Sequence, residues 1–259
     1  MRKRGKNVEH VTEHNSKAWD KKVEEGVRYT ASVSSLTVEE AKAGVWSIGV
    51  TADKQIPRNW FPPSMEGRKV LCLASGGGQQ GPVLAAAGAD VTVFDLSEKQ
   101  LEQDRKVAKA ESLSLQTVKG DMTNLSCFRD ETFDLIIHPV SNVFIPDIRP
   151  VWGEASRVLK EKGVLISGFM NPVLYLFDEE KEAAGKLEVV HKIPYSPLEE
   201  EVREGEALEF GHTLEDQLQG QMDAGFVITD MYEDNFGDGR LVDSYIKTMM
   251  ATRAVNVRL

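Results

Sequence analysis

Four glycines and one acidic residue form the pattern in this sequence that is best suited to binding and chemistry. A short apolar run is followed by Gly76, Gly77, Gly78 and Gly81, and Asp95 stands 19 residues after Gly76. Because glycine lacks a Cβ, its backbone can take positive φ angles and let a ligand approach closely. An acid at the end of the next strand can accept two hydrogen bonds from a ribose diol. The spacing therefore predicts a nucleoside-binding site.

The flanking residues predict the strands and the helix that would position this site. Residues 70–73 and 91–94 are apolar runs typical of buried strands. Between them, an alanine-rich helix begins near Pro82, which suits a first helical turn, and ends at Gly88. The unpaired N–H groups at the start of such a helix point at a bound ligand. The whole stretch predicts a strand–loop–helix–strand unit.

The rest of the pattern predicts an α/β fold with a mostly parallel sheet. Ser97 and Gln100 form a capping-box pair that begins a helix running to about residue 110. The further predicted elements are strands at 115–119, 133–137, 163–168, 226–232 and 244–254, and helices at 148–159 and 213–224. Ligands of open parallel sheets bind beyond the carboxyl ends of the strands, where the strand order reverses. We therefore expect the chemistry on the loop that begins at His138.

Composition and charge exclude several classes of protein. The chain has 259 residues, 41% of them hydrophobic, which is enough for one large α/β domain. Its net charge of −10 argues against non-specific binding to nucleic acid. Two cysteines and five scattered histidines predict neither a disulfide framework nor a metal site. The sequence has no apolar run long enough to cross a membrane and begins without an apolar signal core, so we expect a cytoplasmic protein.

At the glycine loop the chain resembles the class I methyltransferases that use S-adenosylmethionine, in particular the small-molecule enzymes related to the ubiquinone and menaquinone methyltransferases. The family pattern V-L-D-L-G-x-G-x-G corresponds here to VLCLASGGG, in which Cys72 replaces the acid and Ala74 the first glycine. The resemblance implies S-adenosylmethionine as cofactor and a Rossmann-like seven-stranded sheet with helices on both faces. Its seventh strand would lie antiparallel beside the fifth. It also implies that the missing acid's contact with the loop is made by another group.

The resemblance also implies roles for individual residues. Asp95 would hold the ribose, Asp121 the adenine amino group, and Leu96 and Met122 the two faces of the adenine ring. The predicted cofactor-binding set is completed by Trp60, Ala74, Ser75, Gly76, Gly78, Gln80, Gln100 and Pro139. His138 is the candidate catalytic base, because imidazole can accept a proton near neutral pH. The same histidine would equally serve to shape the cofactor pocket.

The resemblance implies one domain with four parts. These are an N-terminal helical cap (1–69), a cofactor-binding core (70–169), a lid insertion after the fifth strand (170–212), and a C-terminal helix with a strand hairpin (213–259). In the cap, residues 15–26 predict a short helix, and Thr37 with Glu40 predicts the start of another. In the insertion, residues 187–193 predict one strand.

The insertion carries most of the negative charge. Between Asp178 and Asp216 there are 13 acidic and four basic residues, a net charge of −9. The segment also has apolar and aromatic residues that a lid could bury: Val189, Val190, Ile193, Tyr195, Leu198 and Phe210. A lid over the substrate and an acidic, solvated surface loop are both open interpretations.

Two other functions fit the same glycine loop. Residues 76–81 satisfy G-x-G-x-x-G, so an NAD(P)-dependent oxidoreductase matches the local pattern. The long segment before the first strand, the Asp121–Met122 pair and the C-terminal strand hairpin favour the methyltransferase. A protein that binds S-adenosylmethionine without catalysis is a further alternative, because Cys72 and Ala74 depart from the family pattern. The expected partner is a small molecule.

Overall fold

The computed structural model describes residues 2–197, 205–237 and 239–257, with the backbone alone for residues 2–9. The strands are β1 (Lys69–Leu73), β2 (Asp90–Asp95), β3 (Leu115–Lys119), β4 (Phe133–His138), β5 (Leu159–Met170), β6 (Phe226–Asp234) and β7 (Met249–Asn256). They form one sheet in the order β3-β2-β1-β4-β5-β7-β6. β7 is antiparallel to both of its neighbours, β5 and β6. The predicted seven-stranded sheet is confirmed.

Helices cover both faces of this sheet. They are α1 (Arg2–Glu24), α2 (Ser35–Lys42), α3 (Gln80–Ala86), α4 (Glu98–Glu111), α5 (Arg149–Val158), α6 (Glu179–Ala183) and α7 (Gly220–Asp223), which continues a π-helical turn at Glu215–Gln219. Side chains alternate along β1, so Val70 and Cys72 pack in one core cluster with α3, and Leu71 and Leu73 pack in the other with α5. All four of these β1 side chains are fully buried, which places β1 at the centre of the core.

The order of the strands places the site. β1 pairs in parallel with β2 on one side and with β4 on the other. β2 and β3 therefore lie on one side of β1, and β4 and β5 lie on the other. The loops after β1 and β4 lead to opposite sides of the sheet and leave a cleft between them at its carboxyl edge. This is the reversal point at which ligands bind in open parallel sheets.

Four predicted elements differ from the observed ones, and one of them is the strand predicted at 244–254, which begins only at Met249. α1 is much longer than the helix predicted at 15–26. α2 is capped by Ser34, whose hydroxyl oxygen accepts the Thr37 N–H at 3.2 Å, rather than by Thr37 itself. Residues 187–193 form no strand, and Val189 makes only an isolated bridge to Phe177. Pairing stops there because the partner chain turns into the 3₁₀ helix Pro172–Leu176 on one side and into α6 on the other.

The predicted lid insertion is partly anchored to the segment that connects β6 and β7. The carboxylate of Glu182, on α6, is 4% exposed and accepts hydrogen bonds from the Arg240 guanidinium and the Val242 N–H. Val189 and Val190 are exposed rather than buried, whereas Phe210 is buried against Val11 of α1. Leu198 and the acidic residues 199–201 and 204 lie outside the described residues. A lid function of this segment stays a prediction.

Candidate active site

Two acids hold the glycine loop that follows β1. An Asp95 carboxylate oxygen accepts the Gly76 N–H at 2.8 Å, and an Asp104 oxygen accepts the Gly77 N–H at 2.9 Å. The other Asp95 oxygen accepts the Ser97 N–H. Burial raises the pKa of both carboxyls, and it raises that of Asp104 to about 7. Asp104 thus gives the loop an acidic anchor, although Cys72 stands where the family pattern has an acid.

Asp104 was not predicted as a site residue, although the sequence contains a signal for it. It lies on α4 three residues after Leu101 and four before Ala108, and all three side chains are buried. Residues at this spacing share one face of a helix. An acid on an otherwise apolar face is rarely buried without a partner. Here the partner is the backbone of the glycine loop.

The backbone of the loop is strained at its first residue. Ala74 has a φ of 47°, in the left-handed region that alanine adopts at a cost of about 1 to 2 kcal/mol. Gly77 and Gly78 also have positive φ angles, 119° and 72°, which glycine adopts readily. The Ala74 N–H donates to the Phe94 carbonyl at 2.7 Å, which ties the strained residue to the end of β2.

A cavity of about 560 Å³ lies beyond the carboxyl ends of the strands. On the side of β1, β2 and β3 it is lined by Ala74, Ser75, Gly76, Gln80, Asp95, Leu96, Gln100, Asp121 and Met122. Pro139, which follows β4, lines it at the reversal point. The structure therefore brings together ten of the twelve residues predicted to bind a cofactor.

The polar groups at this end are held in place. Thr123 donates its N–H and its hydroxyl to one Asp121 oxygen, and Thr12 of α1 donates its hydroxyl to the other. The Ser75 hydroxyl donates to the side-chain oxygen of Gln80 at 3.1 Å. The side-chain oxygen of Gln100 is buried and has no hydrogen-bond partner among the residues that the structure describes. A buried acceptor of this kind suits a ligand that brings an O–H or N–H.

The opposite end of the cavity, which we term the acceptor end, is mostly apolar. It is lined by Val140, Val143, Phe144, Met170, Phe236 and Met249. These residues belong to, or pack against, one hydrophobic cluster beyond β4, β5 and β7. Glu209 also lines the cavity, and the N–H of the next residue, Phe210, donates to the Val143 carbonyl at this end. The site thus combines a polar end suited to a nucleoside with an apolar end that contains an acid.

α1 covers the cavity and is fastened by polar contacts that the sequence did not reveal. The buried Asn15 amide donates to the carbonyls of Phe144 and Leu208, and its oxygen accepts the Leu208 N–H at 2.7 Å. Ser16 donates to the Leu96 carbonyl, and Asp20 accepts from Ser97 and Lys99 at the start of α4.

Comparison with known proteins identifies the family. The chain matches a family model described as a methyltransferase domain over residues 71–167. It is 58% identical over 252 residues to the uncharacterized methyltransferase YbaJ of Bacillus subtilis (strain 168), across 94% of this chain and 98% of that relative. The chain belongs to the class I S-adenosylmethionine-dependent methyltransferases. This assignment favours methyl transfer over the nicotinamide chemistry that the G-x-G-x-x-G pattern of residues 76–81 also fits.

Other methyltransferases match a smaller part of this chain. A ubiquinone biosynthesis O-methyltransferase of Actinobacillus pleuropneumoniae is 32% identical over 112 residues, which are 42% of this chain and 48% of that enzyme. A solved S-adenosylmethionine dependent methyltransferase from Mesorhizobium loti superposes with a TM-score of 0.62 at 17% identity, over 76% of this chain and 94% of that one. The structural likeness shows that this chain and the Mesorhizobium loti methyltransferase share one fold.

His138 does not line the cavity of the methyltransferase. Its side chain is fully buried, with Nδ1 2.9 Å from the Leu73 carbonyl oxygen and Nε2 2.6 Å from the Asn142 side-chain oxygen. Burial lowers its pKa. Both ring nitrogens thus have partners outside the cavity lining. This position under the loop after β4 fits the alternative structural role, and a catalytic role of His138 stays a prediction.

Trp60 and Gly78 also lie away from the cavity lining. Trp60 is buried 5.3 Å from the ring of Tyr232, and its carbonyl accepts a hydrogen bond from Arg253. Trp60 thus fastens the N-terminal segment to β6 and β7. The Gly78 carbonyl accepts the Val33 N–H at 2.9 Å, so this glycine fastens the segment before α2. Neither residue is retained in the proposed cofactor site.

Among the described residues, no group of three or more His, Cys, Asp or Glu side chains is arranged to hold a metal ion. Within the same ranges, the structure has no helix that is both long and apolar enough to cross a membrane.

Proposed function

We propose that the methyltransferase binds S-adenosylmethionine at the polar end of the cavity and methylates a small, largely apolar acceptor at the other. The single observation that carries this proposal is the continuity of the cavity, which joins Asp95 and Asp121 to the apolar acceptor end. In this arrangement the reactive groups of two ligands can meet at the reversal point beside Pro139.

The residues of the polar end fit the cofactor. Asp95 would accept hydrogen bonds from the ribose hydroxyls, and Asp121 would accept one from the adenine amino group. Leu96 and Met122 would pack on the two faces of the ring. The unpaired oxygen of Gln100 would accept a further ligand hydrogen. The residues nearest the methionine portion would be Ala74, Ser75, Gly76, Gln80 and Pro139.

When bound, S-adenosylmethionine supplies a methyl group on a positively charged sulfur, which is a good leaving group. The protein's own part is then alignment of the acceptor and exclusion of water. α1 is held over the cavity by the hydrogen bonds of Asn15 and Ser16. The apolar walls of the acceptor end favour an acceptor that is largely uncharged. The net charge of −10 weighs against a nucleic-acid acceptor.

The names of partial relatives support an apolar acceptor. They include a ubiquinone biosynthesis O-methyltransferase and a demethylmenaquinone methyltransferase. These matches cover less than half of this chain, so they support a class of acceptor rather than one compound. A cytoplasmic location of the protein stays a prediction.

Isothermal titration tests the proposal. Purified protein should bind S-adenosylhomocysteine, the demethylated product, and should not bind NADH. Binding of NADH together with no heat from S-adenosylhomocysteine would contradict the proposal.

A further inference from the structure

We infer that Glu209 binds the acceptor through a polar O–H or N–H group and takes up the proton released on methyl transfer. This inference rests on the proposed function. It names the acceptor class as a small apolar molecule with one hydroxyl or amine nucleophile. The first support is position: the lining of the cavity contains three acids within the described residues, Asp95, Asp121 and Glu209. Asp95 ends β2 and Asp121 follows β3, whereas Glu209 lies at the acceptor end.

Three residues next to Glu209, namely Leu208, Phe210 and Gly211, are hydrogen-bonded to other parts of the fold. Leu208 is held by both polar atoms of the Asn15 amide. The Phe210 N–H donates to the Val143 carbonyl at 2.6 Å, beside the loop after β4. Gly211 forms a two-way backbone bridge with Tyr195. Because every neighbour is held, the carboxylate is presented to the cavity from a rigid support, as an acceptor-binding group requires.

The side chain has one fixed partner and capacity for another. The Tyr175 hydroxyl donates to Glu209 Oε2 at 3.1 Å. Among the described residues, the Glu209 carboxylate has this one hydrogen bond. An ionised carboxylate has about four acceptor positions, so Oε1 can still accept from a ligand. The Tyr175 ring stacks on Tyr195 at 5.6 Å, which orients the hydroxyl.

The charges near Glu209 suit proton uptake. Burial raises its pKa, and the Tyr175 hydrogen bond and the Lys22 ammonium oppose that rise. Glu179 and Glu206, which also face it, add to the rise. A carboxylate with a raised pKa is a better base near neutral pH than an ordinary glutamate. Glu209 keeps solvent-accessible surface and is one of the residues that line the cavity.

The reaction balances with this one base. A lone pair on the acceptor oxygen or nitrogen forms the new bond to the methyl carbon. The carbon–sulfur bond breaks, and its electron pair stays on sulfur, which becomes a neutral thioether. The proton lost by the acceptor passes to Glu209 and later to water. No oxidant, metal or further reactant is required.

A paired ligand series tests the inference with small molecules of defined chemistry. Protein saturated with S-adenosylhomocysteine is titrated with small alkylphenols and arylalkylamines, and with analogues in which the O–H or N–H is replaced by C–H. Wild type should bind the first series at least about tenfold more tightly than the second. Glu209→Gln should lose most of that preference. Glu215→Gln, the same charge change at an exposed residue of the π-helical turn, should keep it.

Kinetics with the acceptors that bind supply the second readout. Glu209→Gln should lower kcat by about 100- to 10,000-fold with unchanged affinity for S-adenosylhomocysteine. Tyr175→Phe should move the acidic limb of the pH profile to higher pH, because the lost hydrogen bond favoured the ionised carboxylate. Equal binding of both series by wild type, or full kcat in Glu209→Gln, would overturn the inference. Failure of S-adenosylhomocysteine to bind wild type would instead overturn the proposed function.

Discussion

The carboxylate of Asp104 accepts the backbone N–H of Gly77 at 2.9 Å, from a position fully buried beneath the glycine loop. Its second oxygen has no hydrogen-bond partner among the described residues. The burial that raises the pKa of Asp104 to about 7 also makes its charge costly in the folded state. The loop of this methyltransferase is therefore anchored by an acid whose protonation changes near neutral pH.

This arrangement predicts a specific dependence of stability on pH. The folded pKa of Asp104 is about 7 and its ordinary value is 3.8, so the folded state binds more protons between these two values. Its contribution to stability is full below about pH 4 and is lost as the pH rises through about 7. Asp104→Asn should remove that loss. Free energies of urea unfolding at pH 5, 6, 7 and 8 should fall more steeply in wild type than in the variant.

The exposed Asp90, at the start of β2, supplies the control for this comparison. Asp90→Asn should leave the slope of unfolding free energy against pH unchanged. If Asp104→Asn and wild type give parallel curves, the buried carboxyl does not titrate in this range.

The strained residue of the loop gives a second prediction. Ala74→Gly should raise the free energy of unfolding by about 0.5 to 1 kcal/mol, because relief of the left-handed φ outweighs the added entropy of an unfolded glycine. Ala31→Gly, at a residue with a φ of −77°, should lower it instead. Equal loss of stability in both variants would show that Ala74 is not strained.

The buried amide of Asn15 gives a third prediction. Asn15→Ala should lower the free energy of unfolding by about 2 to 4 kcal/mol, because three hydrogen bonds are lost and the Leu208 N–H is left unpaired. Hydrogen exchange in α1 should also become faster. Lys17→Ala, at an exposed residue of the same helix, should change neither quantity appreciably. Unchanged exchange in Asn15→Ala would show that α1 is held by other contacts.

Asp95 gives the fourth prediction. Asp95→Ala should cost about 2 to 4 kcal/mol of affinity for S-adenosylhomocysteine, roughly 30- to 1,000-fold in the dissociation constant, because two charge-assisted hydrogen bonds are lost. Titration of wild type, Asp95→Ala and Asp90→Ala measures this effect against a change at the other end of β2. An unchanged dissociation constant in folded Asp95→Ala would mean that the ribose is held elsewhere.

The fold was predictable to the extent that local pattern determined it. The apolar run and glycine loop after Lys69 and the acid at Asp95 specify a strand–loop–helix–strand unit by residue type alone. The strand predicted at 115–119 coincides with β3, because a five-residue segment between two turns is too short to form a stable helix. α1 was underestimated because its first half is charged, and its position depends on contacts of Asn15 that are distant in sequence.

The candidate site shows the same division. Asp95, Asp121 and Met122 line the cavity because each lies at or just beyond the carboxyl end of a strand, and the ends of parallel strands meet at one edge. His138 occupies an equivalent position in the sequence, yet its side chain turns into the core toward Leu73. The direction of one side chain at a strand end depends on tertiary packing. The position of Glu209 in the cavity was not predictable from the sequence, because the segment before it is irregular and has no periodic pattern.

A crystal structure with S-adenosylhomocysteine tests the central claim most directly. We expect the ribose hydroxyls to lie within hydrogen-bonding distance of Asp95 and the adenine ring to pack between Leu96 and Met122, with its amino group at Asp121. The sulfur should point toward Pro139 and the acceptor end that contains Glu209. A ligand bound outside this cavity, or bound within it with its ribose away from Asp95, would contradict the account.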